Sequence, residues 1–410
     1  SIPDVITNES SPYAIVNVNL SAISGKDITV SGSIISDTAI VESDFIGTSG
    51  TFTIAAGETS GKVHIPIIQD TTDEENETAT IRLDNATNAI ILVNSSTLTI
   101  VDDDDPPNLS IADVITSDES ASNSIFTVAL SSASGKEISV DYLTSDGTAT
   151  EGSDYIHSSG QLTFTPGETL KTFSVATLSD DIDEYNESVH INLFNSINTT
   201  VSDTHATLTI TDDDLSPGLS IADFTTSDES ARDAIVTINL STSSEKEITV
   251  DYIASNNTAT SGADYKATGG TLTIPQGTTS GIFYLPVLHD LIDEDNETAH
   301  ITLSNSINSF LTDDFAIFTI TDDDLGPTLS ISDVITVEQS ASAIFTVSLS
   351  SFSEKDITVD YSTSDSTAIA GTDYVTTSGT LVIPAGTTSG TISIPILSDE
   401  IDEENETAHI

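Results

Sequence analysis

Short runs of alternating apolar and polar residues cover most of this chain, with Gly, Pro, Ser and Asn between them. Alternation with a period of two, together with many Val, Ile and Thr residues, predicts strands with one buried face. No stretch has the spacing expected of an amphipathic helix, so the sequence predicts an all-β protein. Where the pattern is clearest, the predicted strands are residues 125–130, 137–142, 161–164, 172–175, 189–193 and 206–210.

The whole pattern repeats with a period of 110 residues. The triplet L-S-I at 109–111 returns at 219–221 and 329–331, and D-D-D at 102–104 returns at 212–214 and 322–324. This period suits a whole domain rather than a solenoid repeat. About seven short strands per period are typical of an immunoglobulin-like sandwich of two sheets. We therefore predict four tandem immunoglobulin-like β-sandwich domains, repeats 1 to 4, over residues 1–105, 106–214, 215–324 and 325–410.

The links between these domains are short and contain proline, at residues 106–108, 215–218 and 325–328. Proline stiffens a linker, so we expect neighbouring domains to be held as beads in a restricted orientation. The chain begins at Ser1 rather than Met and stops at Ile410 inside the pattern, before the last strand and Asp triplet of repeat 4. We expect it to be a piece of a longer polypeptide.

The charge of the chain narrows its possible partners. The 410 residues include 66 acidic and nine basic side chains, for a net charge of -57. Nucleic acid and anionic lipid would be repelled, whereas cations are favoured and a salty or calcium-rich medium would screen the repulsion. The absence of Cys excludes disulfides. No apolar stretch is long enough to span a membrane, and no signal peptide is present, so we predict no membrane insertion of this segment.

The acidic residues recur in four groups per repeat. In repeat 2 these are Asp118 with Glu119, Asp154, the run 180–187, and the triplet 212–214. Loops of an antiparallel sandwich alternate between its two ends, so several groups can meet at one end. A single acidic run usually belongs to a solvated loop, but recurrence in register favours metal binding. Calcium takes six to eight oxygen ligands, whereas magnesium keeps its waters and transition metals prefer His or Cys.

This combination resembles the Calx-beta family, known from regulatory domains of sodium/calcium exchangers and from large bacterial surface proteins. The matching elements are the acid after the first strand, the G-x-D-Y loop around Asp154, the D-D-I-x-E-x-x-E loop beginning at Asp180, and the closing triplet. The resemblance covers essentially the whole chain. It implies a seven-stranded sandwich that binds Ca²⁺ at the end next to the following domain.

The resemblance also implies the metal ligands of each repeat. In repeat 1 they are Glu9, Asp44, Asp70, Glu74, Glu77, Asp102, Asp103 and Asp104. In repeat 2 they are Asp118 (with Glu119 as the alternative), Asp154, Asp180, Asp181, the carbonyl of Ile182, Glu184, Glu187, Asp212, Asp213 and Asp214. In repeat 3 they are Asp228 (with Glu229 as the alternative), Asp264, Asp290, Glu294, Glu297, Asp322, Asp323 and Asp324. In repeat 4 they are Glu338, Asp373, Asp399, Glu403 and Glu406.

The chain departs from the fullest exchanger sites at the start of the crowded loop. Those sites carry one more Asp where this chain has Gln69, Ser179, His289 and Ser398. With fewer carboxylates we expect about one to three ions per site rather than four. Because repeat 4 lacks the triplet, we expect it to bind poorly.

The functional prediction is a calcium-binding structural region of a large extracellular protein, a bacterial adhesin or matrix protein. Calcium at the junctions would stiffen a rod, and the partners would be neighbouring repeats, with a surface or matrix ligand bound by domains outside this segment. The alternatives are a calcium-sensing regulatory module and a ligand- or glycan-binding module. Catalysis is not expected, since no Ser, His and Asp recur together and a sugar cleft would need aromatic walls. The scattered histidines, including His190, His300 and His409, are expected on exposed strand faces.

Overall fold

The computed structural model describes residues 1–116, 118–226 and 228–410. Within these ranges the regular structure consists of β-strands, and there is no helix long and apolar enough to cross a membrane. The expected all-β fold is therefore confirmed. By their contacts the described residues form two compact units, Ser1–Asp181 with Tyr185–Asp213, and Ile182–Glu184 with Asp214–Ile410.

The first unit carries the strands of repeats 1 and 2. In repeat 1 they are β1 (Val5–Asn8), β2 (Tyr13–Asn19), β3 (Ile28–Ser36), β4 (Ser49–Ile54), β5 (Ser60–Pro66), β6 (Glu77–Thr87) and β7 (Ser95–Val101). In repeat 2 they are β8 (Asn108–Ile111), β9 (Val114–Ile115), β10 (Ser124–Leu130), β11 (Ile138–Asp146), β12 (Tyr155–Ile156), β13 (Ser159–Phe164), β14 (Leu170–Thr177), β15 (Glu187–Ile197), β16 (Thr200–Val201) and β17 (His205–Ile210).

The second unit carries the strands of repeats 3 and 4. In repeat 3 they are β18 (Gly218–Ile221), β19 (Phe224–Thr225), β20 (Asp233–Leu240), β21 (Ile248–Asn256), β22 (Gly269–Ile274), β23 (Ser280–Pro286), β24 (Glu297–Ile307), β25 (Phe310–Asp313) and β26 (Phe315–Ile320). In repeat 4 they are β27 (Leu329–Ile331), β28 (Ser342–Leu349), β29 (Ile357–Ser362), β30 (Ser364–Asp365), β31 (Ser378–Ile383), β32 (Ser389–Pro395) and β33 (Ala408–His409).

All six strands predicted in repeat 2 are present, as β10, β11, β13, β14, β15 and β17. The two-residue strands β9, β12 and β16 are too short to give an alternation signal, and they were not predicted. The predicted alternation is visible in burial: along β20, exposed and buried residues follow one another without interruption. Each repeat therefore presents one apolar face per sheet, as a sandwich requires.

Two sheets enclose the core of each of the first three repeats. In repeat 1 the sheets have the strand orders β1-β7-β6-β3-β4 and β2-β5. In repeat 3 they have the orders β19-β26-β24-β21-β22 and β23-β20-β18-β25. Val16 on β2 and Leu98 on β7 belong to one hydrophobic cluster, so the core lies between the sheets. The predicted boundaries between the four domains stay a prediction.

The core of repeat 1 is less completely filled than that of repeat 2. In repeat 2, Tyr142 stacks on Phe173 with ring centroids 4.0 Å apart. The corresponding positions in repeat 1 hold Gly32 and Val63, as the registers of β3 with β4 and of β2 with β5 show. Both residues line a gap of about 180 Å³ between the sheets. The missing aromatic pair accounts for this gap.

Strand register brings the acidic segments of repeat 1 to one end of the sandwich. Strand β6 runs antiparallel to β7, with Glu77 opposite Ile100, and β1 runs parallel to β7, with Asn8 opposite Val101. The start of β6 and the ends of β1 and β7 therefore lie at the same end of the sheet. Glu9, Glu77 and the Asp triplet follow or begin these strands and must lie there.

Candidate metal centre

Three carboxylates from distant parts of repeat 1 form a first cluster. Ligand atoms of Glu9, Asp102 and Asp104 lie within 4.8 Å of one another. Glu9 follows β1, where its backbone N–H donates to the Val101 carbonyl at 3.0 Å, and its side chain is only 9% exposed. Among the described residues, one carboxylate oxygen of Asp102 and one of Asp104 are buried without a hydrogen-bond partner.

Burial and crowding weaken the acidity of this first cluster. Burial is the main cause of the raised pKa of Glu9; the Asp70 N–H that donates to its Oε1 at 2.7 Å opposes the rise, and nearby Asp charges add to it. The pKa of Asp104 is raised by burial first and then by Asp102 and Asp103. Burial and neighbouring like charges both favour the protonated form of a carboxyl group, so a cation bound among these carboxylates would relieve both effects.

A second cluster in repeat 1 joins the crowded loop to the loop before Phe45. Ligand atoms of Asp44, Glu74 and Glu77 lie within 4.8 Å of one another. Asp44 is oriented by the Ile40 N–H, which donates to its Oδ2. Burial, followed by the interaction with Asp44, raises the pKa of Glu77 from 4.5 to about 8. The pKa of Glu74 is also raised, by burial and then by Asp70 and Asp44.

Repeat 3 has the same two regions with one change of ligand type. Glu229, His289 and Asp324 form a cluster with ligand atoms within 4.8 Å of one another. Burial and the interaction with Asp324 raise the pKa of Glu229 to about 8. In the second region, burial and the interaction with Asp264 raise the pKa of Glu297 to about 8. Burial and then the charge of Glu354, from repeat 4, raise the pKa of Glu294 to about 7.

In repeat 3 the acid that enters the cluster is Glu229 rather than the preceding Asp228. Glu119 and Glu229 are 6% and 5% exposed, as Glu9 is in repeat 1. Asp118 and Asp228 instead accept hydrogen bonds from the hydroxyl groups of Ser120 and Ser230, at 2.6 and 2.5 Å. Of the two alternatives in repeat 3, the structure therefore places Glu229 in the cluster, and in repeat 2 Glu119 is more buried than Asp118. No alternation or spacing signal separates two adjacent acids that follow the same strand.

The remaining predicted residues of repeats 1 and 3 lie close by. Asp70 accepts a hydrogen bond from the Thr72 N–H at 2.6 Å, and Asp103 accepts one from the Ser10 N–H at 3.3 Å. In repeat 3, Asp290 accepts a hydrogen bond from the Ile292 N–H at 2.8 Å. Asp322 accepts one from the Asp324 N–H at 3.4 Å, while Asp323 is exposed beside it.

The predicted residues of repeat 2 are distributed over the two compact units. Ile182, Glu184 and Asp214 belong to the second unit, and the others to the first. Within the first unit, Asp154 Oδ2 accepts a hydrogen bond from the Thr150 N–H at 2.6 Å. The other predicted residues of the first unit are Asp118, Asp180, Asp181, Glu187, Asp212 and Asp213.

In repeat 4 the same local turns form without the closing triplet. Glu338 Oε1 accepts a hydrogen bond from the Asp399 N–H at 2.9 Å, as Glu9 does from Asp70. Asp373 accepts one from the Ile369 N–H at 2.6 Å. Asp399, Glu403 and Glu406 are exposed and Glu338 is half-buried, whereas Glu9 in repeat 1 is buried. Whether this repeat binds an ion poorly stays a prediction.

Two sets of residues near the site were not predicted. The first is an asparagine in the crowded loop: the side chains of Asn76 and Asn296 accept hydrogen bonds from the backbone N–H of Asp102 and Asp322, at 3.1 and 3.2 Å. These bonds orient the first residue of each triplet. The recurrence of N-E-T or N-E-S at this point in every repeat was the available signal.

The second set is a latch formed by an aspartate of one repeat and a Ser-x-Lys turn of the next. Asp73, 2% exposed, accepts hydrogen bonds from Ser134 Oγ at 2.9 Å and from Lys136 Nζ at 2.6 Å. Lys136 Nζ also lies 3.3 Å from Asp102 Oδ2, in the first cluster. Burial opposes the charge of Lys136, but its bonds to Asp73 and Asp102 outweigh this and raise its pKa.

The latch recurs inside the second unit. Asp293 accepts hydrogen bonds from Ser353 Oγ at 2.8 Å and Lys355 Nζ at 2.7 Å, and Lys355 Nζ lies 3.2 Å from Asp322. The bond from Lys355 is the main reason why the pKa of Asp293 is lowered. The sequence signal was the recurrence of S-G-K or S-E-K after β2, β10, β20 and β28, but the sequence did not indicate which residue this turn contacts.

The donor set fits a hard divalent cation. Both clusters of repeat 1 consist of carboxylate oxygens, which calcium prefers, and some of these oxygens are buried without a donor in the described residues. At about 4.8 Å and an effective dielectric of 20, each pair of carboxylates repels by about 3 kcal/mol. The residues present can thus hold calcium, and they gain from doing so.

Comparisons with known proteins give one family. The family model described as the Calx-beta domain matches residues 2–105, 102–214, 219–324 and 328–410. The adhesion G-protein coupled receptor V1 of Danio rerio is 32% identical over 187 residues, which is 43% of this chain and 3% of the receptor. The sodium/calcium exchanger Calx of Drosophila melanogaster is 32% identical over 139 residues, 33% of this chain and 14% of the exchanger.

Further similar proteins include a shorter sequence match and two solved structures. Sodium/calcium exchanger 2 of Rattus norvegicus is 48% identical over 56 residues, 14% of this chain, and the chain spans 6% of that exchanger's length. A crystal structure of CBD12 from CALX1.2 is 20% identical, with a TM-score of 0.26, over 52% of this chain and 99% of that one. An apo-form Calx CBD1 domain is 28% identical, with a TM-score of 0.26, over 27% of this chain and 100% of that one.

Proposed function

The chain belongs to the Calx-beta family, and from that premise we propose that it is a calcium-binding structural region of a large extracellular protein. Calcium at the end of each complete repeat would neutralise the acidic loops and stiffen the junction with the next repeat. The parent protein would be an adhesin or matrix protein of a bacterial surface, in which the repeats form a spacer. We assign the region no catalytic role.

The observation that carries the proposal is the pair of partly buried carboxylate clusters at one end of repeat 1 and their counterparts in repeat 3. Glu9 is 9% exposed and Glu229 is 5% exposed, yet each has at least one further acid among its cluster partners, Asp102 and Asp104 for Glu9 and Asp324 for Glu229. Buried like charges persist only if they are protonated or neutralised by a cation. At neutral pH protons neutralise these carboxylates only in part, whereas a bound divalent cation would neutralise the remaining charge.

Each residue near the site has a specific part in this proposal. Glu9, Asp102 and Asp104 would hold one ion, and Asp44, Glu74 and Glu77 a second. The bound ion supplies positive charge and joins loops that otherwise repel. Since it binds the folded clusters and not the unfolded chain, it stabilises the fold by mass action.

The latch supplies the mechanical connection between a site and the next repeat. Asp73 lies in the crowded loop three residues after Asp70 and one before Glu74, so an ion that orders the loop also orders the residue that grips Ser134. Lys136 touches both Asp73 and Asp102. This arrangement supports a junction whose stiffness depends on the site.

Calcium titration calorimetry and small-angle scattering of the whole chain test the proposal together. We expect saturable calcium binding with little response to magnesium, a higher Tm with calcium, and a larger radius of gyration with calcium than in EGTA. An unchanged Tm and radius of gyration on calcium removal would reject the structural role. Absence of a calcium heat would reject calcium binding itself.

A calcium-sensing role is the second candidate, because the matched relatives include sodium/calcium exchangers. The same calorimetry separates the two roles. Affinity near millimolar suits an extracellular spacer, whereas affinity near micromolar suits a sensor of intracellular calcium. Binding of the chain to a glycan array would instead favour a ligand-binding module, for which its 5% aromatic content gives little support.

A further inference from the structure

One cluster in the second unit differs from its counterpart in the first by containing an imidazole. Glu229, His289 and Asp324 place one ligand atom each within 4.8 Å of the others. His289 Nδ1 lies 3.6 Å from Glu229 Oε1. The matching cluster of repeat 1, Glu9 with Asp102 and Asp104, contains carboxylates only.

The glutamate of this cluster is held out of water and directed at the histidine. Glu229 is 5% exposed, and its Oε1 has no hydrogen-bond partner within residues 1–116, 118–226 and 228–410. Asp324 Oδ2 is likewise buried without a partner in that part of the chain. A buried acceptor without a donor is costly. Two such carboxylates, each with a ligand atom within 4.8 Å of a ligand nitrogen of His289, indicate that a cation belongs between them.

The type of donor decides which cation fits. A separation of 3.6 Å between two donor atoms suits ligands that share one ion with bonds of about 2.1 to 2.5 Å. Imidazole nitrogen is a good ligand for zinc and similar transition dications and a poor one for calcium, which takes oxygen. Zinc binds both His nitrogen and Asp or Glu oxygen, and a site with three protein ligands leaves a position open for water.

The other repeats lack this donor. The position of His289 is occupied by Gln69, Ser179 and Ser398 in repeats 1, 2 and 4. His289 is 45% exposed at its side chain and precedes Asp290 in the crowded loop. Unlike His300, whose ring packs against Phe315 on a strand face at 4.9 Å, it points into an acidic cluster. Packing therefore does not explain the residue.

We propose that the Glu229–His289–Asp324 cluster of repeat 3 is a site for a zinc-type transition dication, distinct in metal preference from its all-carboxylate counterparts. The inference rests on the proposed metal-binding role of these clusters, and it assigns one of them a different ion. His289 Nδ1 supplies the selective bond, while Glu229 and Asp324 supply charge. Repeat 3 then remains loaded where calcium is low but zinc is present.

The test is a zinc titration of the whole chain in saturating calcium, followed by calorimetry and by the ring resonances of ¹⁵N-labelled histidine. We expect one zinc site, with His289 nitrogen shifts on binding and no shift of His300. His289→Gln, which recreates the residue of repeat 1, should weaken zinc binding about tenfold or more, since even outer-shell partners of a metal site are worth ten- to hundredfold. Because the His289 side chain is 45% exposed, the variant should remain folded, which its Tm in metal-free buffer would show.

The reciprocal variant and a matched control complete the design. Gln69→His should create a second zinc site beside Glu9 and Asp102, and His300→Gln should leave zinc binding unchanged. Zinc binding by His289→Gln equal to that of the parent chain, or a calcium-saturated parent chain that binds no zinc, would overturn the inference and leave only an ion pair between His289 and Glu229. Loss of calcium binding by the parent chain would count against the proposed function instead.

Discussion

Replacing Asp73 with alanine should loosen the junction between repeats 1 and 2 while leaving both folded. The change removes a carboxylate that is 2% exposed, together with its bonds from Ser134 Oγ at 2.9 Å and Lys136 Nζ at 2.6 Å. Each hydrogen bond to a charged acceptor contributes about 1.5–3 kcal/mol. After the substitution Lys136 can keep its bond to Asp102 and contact water. We therefore take the lower part of the free-energy range that the two lost hydrogen bonds give together.

The expected loss is about 3 kcal/mol, at the low end of the cost of breaking a buried ion pair. It corresponds to a change of about 150-fold in the ratio of docked to undocked junctions. A junction that is almost always docked would then be open for an observable fraction of the time. Calcium affinity should change much less, because Asp73 is outside both carboxylate clusters.

Distance measurements between two spin labels can detect this opening. The chain has no cysteine, so Thr51→Cys in repeat 1 and Thr172→Cys in repeat 2 can be labelled uniquely. Both positions are exposed and lie on strands. In saturating calcium, we expect a narrow distance distribution for the labelled parent chain and a broad one after Asp73→Ala.

Asp84→Ala is the matched control. Asp84 also pairs with a cation, Arg82 at 3.2 Å, but both side chains are exposed and the pair lies within repeat 1. Exposed pairs contribute little, so this variant should keep the narrow distribution. If Asp73→Ala and Asp84→Ala gave the same distribution as the parent chain, the latch would not hold the junction.

Three further predictions concern stability and affinity. Without calcium, stability should fall as the pH rises from about 5 to about 9. The pKa of Glu77 and of Glu297 is raised to about 8 in the folded chain, so the stabilisation present below the unfolded value of 4.5 is lost as the pH passes 8. Calorimetry in metal-free buffer would contradict this with a flat Tm. Val63→Phe should fill the gap in repeat 1 and raise its stability in urea by about 1 kcal/mol, whereas Phe173→Val should lower that of repeat 2 by about 2 kcal/mol; no change in either would refute the packing argument. Glu9→Gln should weaken calcium binding yet raise the Tm in EGTA, because one buried charge is removed; a lower Tm in EGTA would argue against repulsion in this cluster.

Much of the fold could be predicted from the sequence because its signals are local. The alternation within residues 125–130 and 206–210 predicted strands that are present as β10 and β17. The resemblance to the Calx-beta family is confirmed by a family model that matches in all four repeats. The extracellular location and the calcium-dependent rod stay proposals.

The candidate site was predicted less completely because it depends on side-chain direction. The sequence predicted that the acidic loops meet at one end of the sandwich. It could not choose between Asp228 and Glu229, which are adjacent positions after the same strand. It gave Asp73 no role, because the Ser134 and Lys136 that contact it are about sixty residues further along the chain. From the sequence, His289 was noted only as the residue that stands where the fullest exchanger sites carry one more Asp.

The sequence by itself determined the strand content, the repeat and the chemical class of the ligands. These follow from residue type and short-range periodicity, which act before any distant contact forms. The tertiary structure alone decided which acids face each other, which aspartate grips the next repeat, and that His289 lies against Glu229. Those outcomes depend on the register of strands such as β1 on β7, over 90 residues apart. Register is fixed by burial of a whole core, and no local pattern contains that information.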